Sequence, residues 1–226
     1  MTVAAPTLEI ERALFVDADF VIGIDEVGRG ALAGPVAVGA CAVRPAEAEA
    51  GFPEGLRDSK LLTEKARERL APETQRWAFA TAVGWATPTE IDEFGITQCL
   101  AAAAVRALAD LYRAGVPVDR AAVLLDGSHD WLSPGLTQPL RVTVRPKADR
   151  DCASVAGASV VAKVARDERM RRLALASPDY AAFGWERNKG YGSQVHRDAI
   201  RERGASPEHR RSWLGKILDG ADTSRA

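Results

Sequence analysis

The chain has 226 residues, of which 46% are hydrophobic and 27% charged, with a formal net charge of −1. That composition suits one well-buried globular core, and the near-zero charge excludes a protein that coats nucleic acid by bulk electrostatics. No apolar stretch approaches the roughly 20 residues that a bilayer crossing needs, and three widely spaced cysteines give neither a disulfide framework nor a zinc pattern.

In chain order, the opening MTVAAPTLEIERALF has no basic start and no sustained apolar core, so residues 1–19 read as a loose N-terminal extension rather than a secretory signal. FVIGID (20–25) is a β-branched run that ends in acids, a buried strand, and PVAVGACAV (35–43) is a second. Residues 45–55 read as a loop, and DSKLLTEKARERLAPETQ (58–75) as one helix with Asp58 and Ser59 at its cap. WAFATAVGWA (77–86) is a third strand. Thr87-Pro88-Thr89-Glu90 is a helix start, followed by an Ala/Leu-rich helix to Ala114 that Gly95 can break. AAVLLDG (121–127) and LRVTVRP (140–146) complete five strands; long and short helices are expected over 153–176 and 194–204, and residues 215–226 read as a loose tail. Strands joined by helical crossovers define an α/β domain.

Charge is unevenly placed. Residues 1–140 carry 12 Lys/Arg against 20 Asp/Glu, a net of −8, whereas residues 141–216 carry 17 against 9, a net of +8. Such a division suits a protein that holds cations on one side and grips phosphates on the other, or an ordinary solvated surface.

GIDEVGRGALAGPV (23–36) poses the central question. Its spacing is G-x-G-x-x-x-G, and a strand follows rather than a helix, so the helix N-terminus that a dinucleotide-binding loop needs is missing. The acids fare better. Asp25 and Asp126 each close an apolar strand, and adjacent parallel strands would bring both to the carboxyl edge, where open α/β sheets bind ligands. Crowded acids there repel one another unless protonated or neutralised by hard cations such as Mg²⁺ or Mn²⁺.

With DSK at 58–60, LLDG at 124–127, KAD at 147–149, SVVAKVARD at 159–167, NKGYGS at 188–193 and HRRSW at 209–213, the glycine-rich motif resembles bacterial ribonuclease HII, a type 2 ribonuclease H. The motifs stand in family order over residues 20–214. The resemblance implies a ribonuclease H-like fold, a five-stranded mixed sheet flanked by helices with a helical C-terminal part, as one catalytic domain over 20–214. It also implies cleavage of RNA in RNA–DNA hybrids and 5′ to ribonucleotides embedded in duplex DNA, by a cytoplasmic monomer.

By matching motif, the family's four acids fall on Asp25, Glu26, Asp126 and Asp149, which would hold two Mn²⁺ or Mg²⁺ ions. One ion would lower the pKa of a bound water and the other would stabilise the leaving 3′-oxygen. Asp151 competes with Asp149 for the fourth place, while Asp58 and Asp130 read as cap and turn residues. The resemblance assigns ribose sensing to the backbone of the Gly28-Arg29-Gly30 loop, with Tyr191 beside it, because the 2′-hydroxyl is what tells RNA from DNA; the Arg29 side chain is expected on a phosphate or in a structural salt bridge. Lys60, Lys163, Lys189, Arg210 and Arg211 are expected phosphate contacts; Lys163 could instead orient a carboxylate, and Ser159 could equally be helix packing. His196 and His209 read as surface residues. Two rivals from other classes are a non-catalytic hybrid-binding protein and a two-metal nuclease for branched DNA.

Overall fold

The computed structural model describes residues 5–218; residues 1–4 and 219–226, most of the expected tail, lie outside the described residues. Five strands form one mixed sheet in the order β3-β2-β1-β4-β5: β1 (Val21–Val27), β2 (Val36–Val43), β3 (Ala80–Ala86), β4 (Ala122–Asp126) and β5 (Arg141–Arg145). β2 pairs antiparallel with β1 and β3, whereas β1, β4 and β5 run parallel. All five expected strands are present. β3 starts later than expected because Trp77 completes the preceding helix.

The helices are α1 (Glu9–Leu14), α2 (Pro45–Ala50), α3 (Glu64–Trp77), α4 (Pro88–Phe94), α5 (Ile96–Arg113), α6 (Ala148–Asp151) and α7 (Ala153–Ala176). The helical C-terminal part adds α8 (Pro178–Ala181), α9 (Trp185–Asn188), α10 (Gln194–Arg203) and α11 (Gly215–Leu218). β1 and β2 are buried on both faces. Ile22, Ile24, Val36 and Val38 pack with Leu100, Ala104 and Leu108 of α5 on one side, while Val21, Cys41 and Leu124 meet Val155 and Ala158 of α7 on the other. The sheet lets α7 approach to backbone contact: a Cβ on Gly23 would stand 2.4 Å from the Ser154 carbonyl carbon, and one on Gly39 2.3 Å from the Ala158 carbonyl oxygen. This contact fixes where α7 lies relative to the carboxyl end of β1.

Three expectations need correction. Residues 45–50 are helical rather than loop, because Pro45 begins the helix and the Glu47 carboxylate accepts from the Arg44 N–H (2.8 Å). The single helix expected over 58–75 is instead a 3₁₀ turn (Ser59–Leu61) followed by α3. Asp58 caps the turn through the Lys60 N–H, and Thr63 restarts the helix by accepting from the Ala66 N–H. The N-terminal extension is not loose from residue 7 onward. Thr7 exchanges backbone hydrogen bonds with Asp151 and Ala153 (3.0 and 2.9 Å). Glu11, fully buried, accepts from the Ser154 N–H and hydroxyl (2.8 and 2.7 Å), capping α7 from outside it. Gly95, at φ +79°, does break the Ala/Leu-rich run into α4 and α5.

His196 and His209, expected at the surface, are both buried beneath the C-terminal helices. His196 Nε2 accepts from the Trp185 indole (3.0 Å) and from His209 Nε2 (3.0 Å), and its Nδ1 donates to the Tyr191 carbonyl (2.9 Å). His209 Nδ1 accepts from the Ser206 N–H and hydroxyl (3.0 and 2.8 Å). These partners assign one tautomer to each ring and leave both neutral. Burial pushes both pKa values down, with the neighbouring His196 adding to the shift of His209, which falls to about 4.

The unfolded chain therefore takes up a proton at His209 near pH 6.5 that the folded chain refuses until about pH 4. Stability contributed by neutral His209 is full above that window and is lost as pH falls through it. Between about pH 7 and pH 4.5 the wild type is expected to lose roughly 2–3 kcal/mol more than His209→Gln, which keeps a donor but does not titrate, in urea unfolding.

Candidate active site

Because β1 and β4 pair in parallel with Ile24 opposite Leu125, Asp25 and Asp126 follow one another out of the sheet at the same edge. β5 lies next, and the chain leaving it turns through Lys147, at φ +63°, into α6 with Asp149. The Asp149 N–H donates to Asp126 Oδ1 at 3.4 Å. Acids from three sequence-distant segments thus meet at the carboxyl ends of three adjacent parallel strands. Asp151, the rival for the fourth place, is tied to Arg150 and Arg145 instead. Asp130 accepts from the Leu132 and Ser133 N–H groups as a turn residue.

Asp25 is 2% exposed. Its Oδ1 accepts from the Glu26 N–H (2.8 Å), while its buried Oδ2 has no hydrogen-bond partner among the described residues. Burial, then the Glu26 charge, pushes its pKa well above the usual carboxylate range. Burial also raises Glu26, with Arg29 opposing it from 3.3 Å, and it raises Asp126, where the Asp149 charge adds. Lys60 enters from the 3₁₀ turn, with Nζ 2.9 Å from Asp149 and 3.8 Å from Asp58. Burial works against its charge, but Asp149 and Asp25 prevail and raise its pKa.

Among the described residues, no three carboxylate, histidine or cysteine side chains are gathered as a ready-made ion cage. Two of the acids are engaged by cations instead: Lys60 holds Asp149 and Arg29 holds Glu26. The donor set still fits a hard divalent cation, since it is all oxygen, crowded, and centred on an orphaned buried carboxylate oxygen.

These residues line a cleft of about 370 Å³ formed by Asp25, Glu26, Gly28, Arg29, Gly30, Lys60, Asp126, Lys163 and Tyr191, among others. Nine of the fourteen expected site residues line this cleft, Asp149 reaches it through its bond to Asp126, and the contacts of Lys163 and of the four others are informative. Ser159 is fully buried and donates to the Ser59 hydroxyl (2.7 Å), so it packs α7 against the 3₁₀ turn. Lys163 pairs with Asp167 (2.7 Å) rather than with an active-site acid. Lys189 is buried and donates to the Glu186 carbonyl. Arg210 is fully buried and spends its guanidinium on backbone carbonyls, so it does not reach a phosphate as expected. Arg211 is exposed, with its N–H held by Asp92.

Arg166 escaped the sequence reading. It is fully buried and bonds the carbonyls of Ala33, Pro35 and Lys189. Its spacing was the available signal, because Ala158, Ala162, Arg166, Met170 and Ala174 recur every fourth residue and all are buried.

An open sheet of this order, with helices on both faces and acids converging at the ends of its parallel strands, defines a nuclease domain of the ribonuclease H-like class. The comparisons with known proteins narrow the class. The family model described as Ribonuclease HII matches residues 22–216, and this chain belongs to that family. It is 48% identical over 213 residues to Ribonuclease HII of Streptomyces griseus, covering 92% of this chain and 84% of that protein. The ribonuclease H2 structure from Pyrococcus horikoshii superposes with a TM-score of 0.71 at 28% identity, covering 90% of this chain and 99% of the other. Bst-RNase HIII in complex with Mn²⁺ gives 0.70 at 27% identity, over 97% and 73%. The chain is accordingly an endoribonuclease that acts on RNA paired with DNA.

The two glycines of the Gly28-Arg29-Gly30 turn are glycines for different reasons. Gly28 sits at φ +84°, and a Cβ there would lie 2.0 Å from Arg166 Nε, whereas a Cβ on Gly30 would meet nothing within 4 Å. Protein packing therefore demands Gly28 but not Gly30, whose empty side faces solvent. Gly28→Ala is expected to cost about 1–3 kcal/mol, and Gly30→Ala to stay within about 0.5 kcal/mol of wild type, both read by thermal denaturation.

Proposed function

We propose that this chain hydrolyses the RNA strand of RNA–DNA hybrids and also cuts duplex DNA 5′ to an embedded ribonucleotide, leaving 5′-phosphate and 3′-hydroxyl ends, as a step of ribonucleotide removal from DNA. The observation that carries this reading is the meeting of Asp25, Asp126 and Asp149 beside a backbone turn that keeps open space at Gly30.

Asp25, Glu26, Asp126 and Asp149 would hold the divalent ions, Mn²⁺ or Mg²⁺, two in the catalytic complex; a solved relative holds Mn²⁺. Bound there, such ions supply a more acidic water and charge neutralisation at the leaving oxygen. The protein's own groups do the rest. Asp25, orphaned and poorly solvated, favours any cation offered to it over remaining ionised alone. Lys60, held between Asp149 and Asp58, keeps the acids from repelling one another and places an ammonium at the cleft wall, where a phosphate arrives. Arg29, half-exposed beside Glu26, offers a second cation to the backbone. Tyr191, 38% exposed at the cleft mouth, presents a ring face against which a sugar can pack. Arg29, Lys60 and Lys163 position a strand without reading its sequence, so selectivity falls to the turn.

The test is a DNA duplex carrying one ribonucleotide, with the cut position mapped in Mg²⁺ and in Mn²⁺. Cleavage 5′ to the ribonucleotide, abolished by EDTA, is expected. Asp25→Asn is expected to lose at least about a thousandfold in rate, roughly 4 kcal/mol of transition-state stabilisation, while binding of the duplex is retained. Equal cutting of an all-DNA duplex, or wild-type turnover by Asp25→Asn, overturns the reading.

A further inference from the structure

Two arginines lie fully buried behind the cleft, and among the described residues neither forms a salt bridge with a carboxylate. Their hydrogen bonds go almost wholly to main-chain oxygen. Arg210 donates through Nη2 to the Gly28 carbonyl (2.7 Å), through Nη1 to that of Arg29 (2.8 Å), and through Nε and Nη2 to that of Gly34 (3.2 and 3.1 Å). Arg166 takes the carbonyls of Pro35, Lys189 and Ala33 at 2.9, 2.9 and 3.2 Å. Burying two like charges side by side is expensive, and an apolar residue of similar volume would fill the space more cheaply. What an apolar residue cannot do is hold several carbonyls in a fixed fork.

The consequence for the turn follows from peptide geometry. The chain has no cis peptide bond among the described residues, and a trans peptide sets each C=O against the N–H of the next residue. With the Gly28 and Arg29 carbonyls drawn inward, the N–H groups of Arg29 and Gly30 face the other way. Neither donates to any protein group among the described residues, and both residues are exposed on the cleft that Asp25 and Tyr191 line. Two adjacent free donors thus stand at the glycine of this turn whose side is open.

We infer that Arg210 is a positioning residue for ribonucleotide recognition: by pulling the Gly28 and Arg29 carbonyls inward it presents the Arg29 and Gly30 N–H groups to the 2′-hydroxyl oxygen of the ribonucleotide. The inference rests on the reading, made above, that this turn faces the sugar. Arg166 supports it from beneath by holding residues 33–35 to the Lys189-Gly190-Tyr191 segment, so the turn and the Tyr191 ring keep their mutual spacing.

Arg210→Lys keeps the charge but cannot span the Gly28, Arg29 and Gly34 carbonyls together. The experiment measures Kd for a duplex with one ribonucleotide and for the same duplex in all-DNA form, with Asp25→Asn alone and with Asp25→Asn plus Arg210→Lys. The single variant is expected to prefer the ribonucleotide duplex, and adding Arg210→Lys to erase about tenfold of that preference, with all-DNA affinity changed by less than about twofold. Unchanged preference, or equal weakening of both duplexes, overturns the inference; no preference in Asp25→Asn itself overturns the underlying reading instead. Should the double variant fail to fold, the amide resonances of Arg29 and Gly30 in Asp25→Asn decide the matter. They are expected to shift, together with the Arg210 guanidinium resonances, on adding the ribonucleotide duplex and not on adding all-DNA duplex; amide shifts without a guanidinium shift reject the role assigned to Arg210, and no amide shift overturns the underlying reading.

Discussion

The burial of Asp25 is the constraint around which this molecule is organised. One of its oxygens receives a backbone N–H; the other is buried and has no hydrogen-bond partner among the described residues. A carboxylate so placed is costly unless something positively charged is brought to it. The parallel neighbours of β1 do the opposite and deliver further acids, Asp126 from β4 and Asp149 from the turn after β5. Lys60 offsets part of that repulsion from across the cleft. The strand order therefore concentrates an electrostatic cost at one edge of the sheet, where binding of hard cations can relieve it.

Behind that edge the sign reverses. Arg166 and Arg210 lie under the turn that follows β1, bonded to carbonyls and not to acids. The same short segment, residues 25–35, thus has carboxylates at its start and guanidinium groups beneath its end. The two kinds of charge do different work. The acids gather negative charge, while the guanidinium groups use their fixed donor geometry to hold main-chain carbonyls. The uneven division of charge along the sequence has its structural counterpart here, since the basic half of the chain supplies both arginines.

Much of this was legible in the sequence. The five strands are apolar or alternating runs with glycine, proline or acid near an end, and the two aspartates that follow apolar runs mark the sheet edge without any knowledge of pairing. Features whose partners lie far along the chain are not legible in this way. Glu11 looks like one more acid in an amphipathic stretch until Ser154, 143 residues later, is placed above it. His196 and His209 sit among basic residues, and only Trp185 and Ser206 reveal that they are buried and neutral. Arg210 belongs to a basic cluster whose next member, Arg211, is indeed exposed, so its neighbours suggest a surface role. Burial of a polar side chain depends on tertiary partners, and one-dimensional patterns do not record them.

The turn beside Asp25 and the arginine that shapes it are separated by about 180 residues of chain. During synthesis the strand with its acids emerges well before the guanidinium that binds the carbonyls of the adjoining turn. A nascent chain that ends before Arg210 lacks the side chain that holds the Gly28 and Arg29 carbonyls. The conformation of the turn beside Asp25 is thus settled by a contact that joins the first strand to a segment beyond every other strand of the sheet.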